Sequence, residues 1–243
     1  MSPRPHPVGR RTGRPRAVPD KDPRPPREVI LAVASRLFAE RGVADTTLTE
    51  IARRAGLRTS SLYYYFDGKE AMLHAIVDEV NRLTLDRLDV INADGGRPAV
   101  RLFRLIRFDV RSLCTLPYDV NEVLRLPALQ EARFAQYWRE RQDLNDAVEQ
   151  LVVEGVNEGD FRPVDTRLCA LTILANDEGV QNWYRPLGEH RIAGRDDPRL
   201  GPYTPDEIGS HLARMAVGDL LRDRRALRSV EAQARRWDER ADG

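Results

Sequence analysis

Two hydroxyl residues, two tyrosines and an arginine crowd one short stretch of this sequence: Arg58, Thr59, Ser60, Tyr63 and Tyr64. On a helix turning about 100° per residue, with Leu62 at the origin, Tyr65 and Ser61 fall on the Leu62 side. Thr59, Ser60, Tyr63 and Tyr64 fall on the other. Leu62, Tyr65 and Phe66 then anchor the helix against Ile51, Leu37 and Phe38. The face left outside carries hydroxyls and aromatic rings, with the Arg58 guanidinium at its N-terminal end. Thr and Ser can reach base edges, and a Tyr can bond a phosphate through its hydroxyl or cover a thymine methyl with its ring. This is the chemistry of duplex DNA recognition. A tyrosine triplet can also be plain core, and Tyr65 takes that role.

Such a face needs a frame to hold it. After Pro25-Pro26, Ile30, Val33, Ala34, Leu37 and Phe38 recur at helical spacing, with Gly42 as the stop. Thr47-Leu48-Thr49-Glu50 reads as a capping box: the Thr47 hydroxyl takes an orphan N–H and Glu50 reaches back. It opens a short helix to Ala55, ended by Gly56. A third helix covers about Thr59 to Phe66. Asp67-Gly68 turns the chain, and Lys69 opens a long helix to about Asn92. Three short helices with a tight Gly turn between the last two form a helix-turn-helix. Lys69 begins a helix whose orphan N–H groups and dipole already favour phosphate. A cation is poor for the helix at that position and suited to DNA.

The remainder also reads helical. Asp94-Gly95-Gly96 breaks the chain. Helices are expected over Pro98–Leu116, near Asp119–Leu126, over Ala128 to about Glu158, and from an Asp165 cap to Tyr184. Residues 186–204 read as a Pro/Gly loop. Thr204-Pro205-Asp206-Glu207 is a second capping box, with Pro at the first helical position, for a helix to about Arg222. A polar, Arg-rich helix continues to about Arg236. No alternating strand pattern and no internal repeat is present, so the expected class is all-α. The expected divisions are a basic Pro-rich arm at 1–26, disordered or extended; a helix-turn-helix head at 27–75; a larger helical domain at 76–236; and a tail at 237–243.

Charge is uneven along the chain. The formal net charge is +1 over 243 residues. Residues 1–27 carry Arg4, Arg10, Arg11, Arg14, Arg16, Lys21, Arg24 and Arg27 against Asp20 and Asp22, a local +6; residues 28–75 are neutral, and the rest sums to −5. A basic front and an acidic back point to an anionic partner for the front. Gly13-Arg14-Pro15-Arg16 resembles an AT-hook core, so Arg14 and Arg16 are candidates for a narrow, A·T-rich minor groove; the bland reading is a solvated tail. The chain shows no run of apolar residues of membrane-spanning length. Its N-terminus lacks the apolar region of a secretory signal. No membrane partner is expected, and the expected compartment is the cytoplasm. Cys114 and Cys169 make no disulfide framework, and with scattered histidines no zinc spacing. No cofactor or metal is expected. There is no Gly-x-Ser-x-Gly, no His-Glu-x-x-His and no phosphate-binding Gly loop. The enzyme reading is therefore the weaker one, though an all-helical enzyme stays open as an alternative.

The run LTEIARRAGLRTSSLYYYFDGKEAML resembles the DNA-binding core of the TetR family of transcriptional regulators, over about residues 27–75. The resemblance implies a homodimer with a helical regulatory domain. Such a dimer holds a palindromic operator in double-stranded DNA until a small-molecule effector spreads the two heads. It also implies phosphate contacts from Thr47, Tyr63, Tyr64 and Lys69, with Arg58, Thr59 and Ser60 nearest the bases. The family has Ser or Thr where Arg58 stands, which leaves Thr59 as the expected cap. The last two main helices would build a four-helix dimer interface, with small Gly209, Ala213 and Gly218 for close approach.

Two helices of the back half carry polar groups among apolar ones. On the helix from Pro98, Arg101, Arg104, Arg107 and Arg111 form one face. Leu102, Leu105, Ile106, Leu113 and Leu116 form the other, with Asp109 at its centre. On the helix from Ala128, Arg141 and Asn145 sit inside the stripe of Phe134, Tyr137, Trp138, Leu144, Val148 and Val152. An unpaired charge there costs several kcal/mol or changes protonation. Either Asp109 and Arg141 pair with each other or with neighbours, or they face a polar ligand pocket. The candidate effector residues are Asp109, Leu113, Tyr137, Arg141, Asn145, Asn176 and Trp183. Asn176, Asp177, Gln181 and Asn182 line a pocket or bond across the dimer. A core with no pocket would instead make the chain a constitutive DNA-binding protein.

Overall fold

The computed structural model describes residues 24–116, 120–121, 125–184 and 203–241. The arm with Arg14 and Arg16, half of the short helix expected near 119–126, and nearly all of the loop expected at 186–204 lie outside them. Among the described residues the chain is helical, and the one β feature is an isolated bridge between Phe161 and Leu221.

The head is three helices. α1 (Pro26–Asp45) starts with Pro26 in its first turn and buries Ile30, Leu31, Ala34, Leu37 and Phe38, kinking at the expected stop, Gly42. α2 (Leu48–Arg54) is capped by Thr47, whose hydroxyl accepts from the Glu50 N–H at 3.2 Å. The other half of the expected box does not form. The Glu50 carboxylate turns to Arg53 and Arg54, which donate to it at 2.8 Å, since guanidinium donors three and four residues on outcompete a backbone N–H. The turn into α3 (Thr59–Leu62) places Gly56 at φ +70°, the left-handed region that a Cβ disfavours. α3 is shorter than expected, but Tyr65 and Phe66 N–H groups still donate to the Leu62 carbonyl at 3.0 and 3.1 Å. Leu62 and Phe66 are buried, as their register requires.

α4 (Lys69–Asp94) is one unbroken helix. It crosses the expected head-to-body boundary at residue 75 without interruption. The body continues with α5 (Pro98–Thr115), α6 (Ala135–Asn157), α7 (Thr166–Gly179), α8 (Pro205–Leu220) and α9 (Leu227–Ala241). The segment expected to open α6 is two short 3₁₀ turns, Pro127–Gln130 and Ala132–Phe134. α7 ends at Gly179 and passes into a 3₁₀ turn, Val180–Asn182, short of the expected Tyr184. The Asp165 cap and the complete Thr204–Glu207 capping box form as expected.

α5 lies at the centre of the body, packed by α8 on one side and by α4, α6 and α9 around it. Gly209 makes the α8 contact possible: a Cβ there would sit 2.8 Å from the Arg107 carbonyl oxygen. Gly209 and buried Ala213 thus serve packing within the chain, and Gly218 faces Leu227 of α9.

α9 covers the middle of the arginine face of α5, at Arg104 and Arg107, and the helix runs through Trp237 and Asp238, so these belong to the packed body and not to the expected tail. Arg104 is 1% exposed, pairs with Asp94 at 2.7 Å and Asp238 at 3.2 Å, and stacks over the Trp237 ring. Arg107 reaches Asp206 at 2.7 Å and Asp238 at 2.6 Å, and Arg101 reaches Glu154 at 2.6 Å.

Candidate nucleic-acid interface and buried polar centre

The outer face of the head carries the side chains its sequence suggests. Tyr63 and Tyr64 are 53% and 86% exposed, although both are large and partly apolar. Leaving such rings in water has a cost that a partner would relieve. Tyr65 packs partly into the core and meets the Tyr64 ring edge-on at 5.2 Å, which fixes where Tyr64 points. Thr47, Arg58 and Ser60 are exposed, and Thr59 is half-buried beside them. Ser61, expected on the inner side, is exposed and joins this face. Arg58 takes the N-cap position of α3 and gives no side-chain cap; Thr59 is the first helical residue and does not cap.

Lys69 has a structural task. Its Nζ donates to the Val43 and Ala44 carbonyls at 2.6 and 2.9 Å, across the end of α1. There the cation meets the negative end of one helix dipole while it opens the next helix. Two of its three N–H donors are used in this way. Arg27, at the start of α1, lies over the Phe66 ring at 5.5 Å.

The second site lies in the body. Asp109 of α5 is buried, and Thr84 of α4 donates to its Oδ1 at 2.5 Å. Arg141 of α6 does not pair with Asp109; its guanidinium is held by Glu178 of α7. Asp177, next to Glu178, is buried as well. Burial pushes the Asp109 carboxyl up to about 6, with Glu178 adding to the push, and Thr84 and Arg141 opposing it. Burial, with Asp109 and Glu178 nearby, raises Asp177 well above the usual carboxylate range. Tyr137 and Asn145 lie on the same stripe of α6 as Arg141, both buried; burial pushes the Tyr137 phenol up to about 12. Leu113 is buried one turn beyond Asp109.

The structure therefore brings together Asp109, Leu113, Tyr137, Arg141 and Asn145. It does not bring Asn176 or Trp183 to them. Asn176 is exposed on the outer face of α7, and Trp183 is exposed beyond it, edge-on to Tyr184. Trp138 is also on the surface, its indole N–H donating to the Leu129 carbonyl at 2.8 Å. Gln181 is buried, spanning the Val120 N–H and the Leu113 carbonyl. Sequence reasoning missed Glu178 and Thr84. Their signal was faint: acidic Asp177-Glu178 late in an apolar helix, and a lone Thr inside α4.

A helix-turn-helix head that exposes hydroxyls and aromatic rings, carried by one long helix into an all-helical body with a buried polar centre, defines a DNA-binding regulator. The profile described as "Bacterial regulatory proteins, tetR family" matches residues 30–76, and "Tetracyclin repressor-like, C-terminal domain" matches residues 95–194. The HTH-type transcriptional repressor KstR2 of Rhodococcus jostii is 33% identical over 171 residues, covering 67% of this chain and 81% of that protein. The chain belongs to the TetR family of transcriptional regulators. In fold it resembles the structure of the ketosteroid transcriptional regulator KstR2 of Mycobacterium tuberculosis (TM-score 0.66, 24% identity, 84% of this chain and 98% of that one). It also resembles AibR in complex with isovaleryl coenzyme A and operator DNA (TM-score 0.55, 24% identity, 81% and 98%). Among the described residues no helix is long and apolar enough to cross a membrane.

Proposed function

We propose that the chain is a ligand-responsive repressor that binds a palindromic operator as a homodimer and is released by a small-molecule effector. A head at 27–75 would read DNA and a body at 76–236 would dimerise and sense the ligand. Arg58, Thr59 and Ser60 are nearest the bases, with Thr47, Tyr63, Tyr64 and Lys69 on phosphates. Arg14 and Arg16 of the arm add minor-groove attraction. The effector takes the centre formed by Asp109, Leu113, Tyr137, Arg141 and Asn145.

The observation that carries this reading is the hydrogen bond from Thr84 to Asp109. Thr84 belongs to the helix that begins at Lys69, whose ammonium holds the end of α1. The two residues are separated by roughly 22 Å of continuous helix. A ligand that takes over Asp109 frees Thr84 and shifts α4, and with it the head. Two recognition helices must match major grooves about 34 Å apart, so a small tilt suffices to lose one half-site. The dimer reading is supported by Leu168, Leu171 and Met215, which are 61%, 43% and 58% exposed on α7 and α8. An apolar face of this kind seeks a partner.

The test is a footprint on DNA flanking the gene, followed by spin-label distances between the two heads with and without effector. Protection of a two-fold symmetric site and a changed head separation are expected. Release of DNA at constant separation would refute the mechanism.

A further inference from the structure

The charges of the buried centre do not balance. Asp109 on α5 lies near Asp177 and Glu178 on α7, and the one guanidinium that acts on Asp109, that of Arg141, is already held by Glu178. Asp109 has a hydroxyl from Thr84, and neither aspartate has a cation of its own among the described residues. Unpaired buried carboxylates are costly and are kept only where something repays them.

A second observation points the same way. The buried side-chain atoms here that lack a hydrogen-bond partner include Asn81 Oδ1 and Asn145 Oδ1, and both accept. Asn81 donates to the Tyr137 carbonyl at 3.2 Å, so its amide nitrogen is fixed and its oxygen must look elsewhere. Asn145 lies one turn beyond Arg141 on α6. The centre is thus rich in acceptors and short of donors and positive charge. The described residues hold no group of three or more His, Cys, Asp or Glu side chains placed to take a metal ion. Carboxylates beside amide oxygens suit a cation that donates N–H bonds.

We propose that this centre binds the protonated amine of a small molecule with an apolar body, the ammonium lying among Asp109, Asp177 and the free amide oxygens. An ammonium supplies three N–H donors and one positive charge, which is what the site lacks. Leu113, Leu144, Val148 and Leu174, all buried on the same three helices, would receive the apolar body. The inference rests on the ligand-responsive reading above and gives that ligand its chemical class.

The experiment uses the purified full-length chain and four matched probes: 2-phenylethylamine, 2-phenylethanol, 3-phenylpropionate and isovaleryl coenzyme A. Thermal unfolding and affinity for the operator fragment are read for each. The amine is expected to raise Tm by about 2 °C or more at saturation, as any ligand of the native state must, and to weaken operator binding tenfold; the alcohol should do neither. Asp109→Asn and Asp177→Asn should each lose the amine-induced rise, with a cooperative melt and an unchanged far-UV circular dichroism spectrum showing that they fold. Equal shifts with amine and alcohol overturn the proposal. So does binding of the carboxylate or the thioester in place of the amine, although DNA release by either would leave ligand control standing. A Tm rise with amine but unchanged operator affinity keeps the amine site and refutes the gating. Silence from all four refutes both.

Discussion

Replacing Asp109 by asparagine should make the protein more stable, and only above about pH 4. Burial is the main reason that the Asp109 carboxyl is pushed from 3.8 up to about 6. Between these values the native state holds a proton that the unfolded chain has released, so stability falls as pH rises through that window. Below about pH 4 both states are protonated and the penalty is absent. Above about pH 6 it is complete, at roughly 3 kcal/mol when each pH unit counts about 1.4 kcal/mol. Asparagine keeps the shape and can still accept from Thr84 through its oxygen, but it cannot ionise. Asp109→Asn should therefore match the parent near pH 4 and exceed it by up to roughly 3 kcal/mol near pH 7.5. For a chain of this size that is a Tm rise of up to about 6–12 °C. Urea unfolding at several pH values, at one fixed protein concentration because dimer stability depends on it, measures the difference directly. A variant less stable than the parent near neutral pH, or a gain that ignores pH, would refute the reasoning. The expected sign is the opposite of what removing a stabilising contact would give. It would mark Asp109 as a residue kept for function at a cost in stability.

Tyr63→Ala and Tyr64→Ala should each lower operator affinity at least tenfold by fluorescence anisotropy. Their Tm should change little, since surface substitutions usually stay within about 0.5 kcal/mol. Lys69→Met should lose operator affinity and also about 1.5–3 kcal/mol of stability, because two charged hydrogen bonds to the end of α1 go with it; unchanged stability in urea unfolding would show that the α1 contact is idle. Gly209→Ala forces a Cβ to 2.8 Å from the Arg107 carbonyl and should cost about 1–3 kcal/mol by thermal melting. Leu171→Arg on the exposed face of α7 should give a monomer in sedimentation, and operator affinity should fall with it.

The parts of this molecule that sequence could reach are those decided within a few residues. The stripes of α1 and α5, the Thr204–Glu207 box and the inward Leu62 and Phe66 follow from helical register alone, and all are found. Polar residues inside such stripes also gave away the buried centre, since Asp109, Arg141 and Asn145 stand where only apolar groups are cheap. Their partners were out of reach. Asp109 and Arg141 each pair elsewhere, with Thr84 and Glu178, because the angles at which α4 and α7 cross α5 and α6 decide which atoms meet. The same holds on the far side of α5, where the arginine face is legible but not its partners: α9 brings Trp237 and Asp238 to Arg104, and Asp238 to Arg107.

These two long-range arrangements act on one helix at successive turns. Asp109 holds α4 through Thr84, while Asp238 holds it through Arg87 at 3.3 Å, one turn further along. Asp238 is shared by Arg87, Arg104 and Arg107, and so ties α4 to α5 through α9. The Thr84 contact rests on a carboxylate with a raised proton affinity and no cation. On the proposed mechanism an effector at Asp109 would release the weaker hold first, and α4 would pivot about its Arg87 end, with a displacement that grows along the helix towards Lys69 and the head.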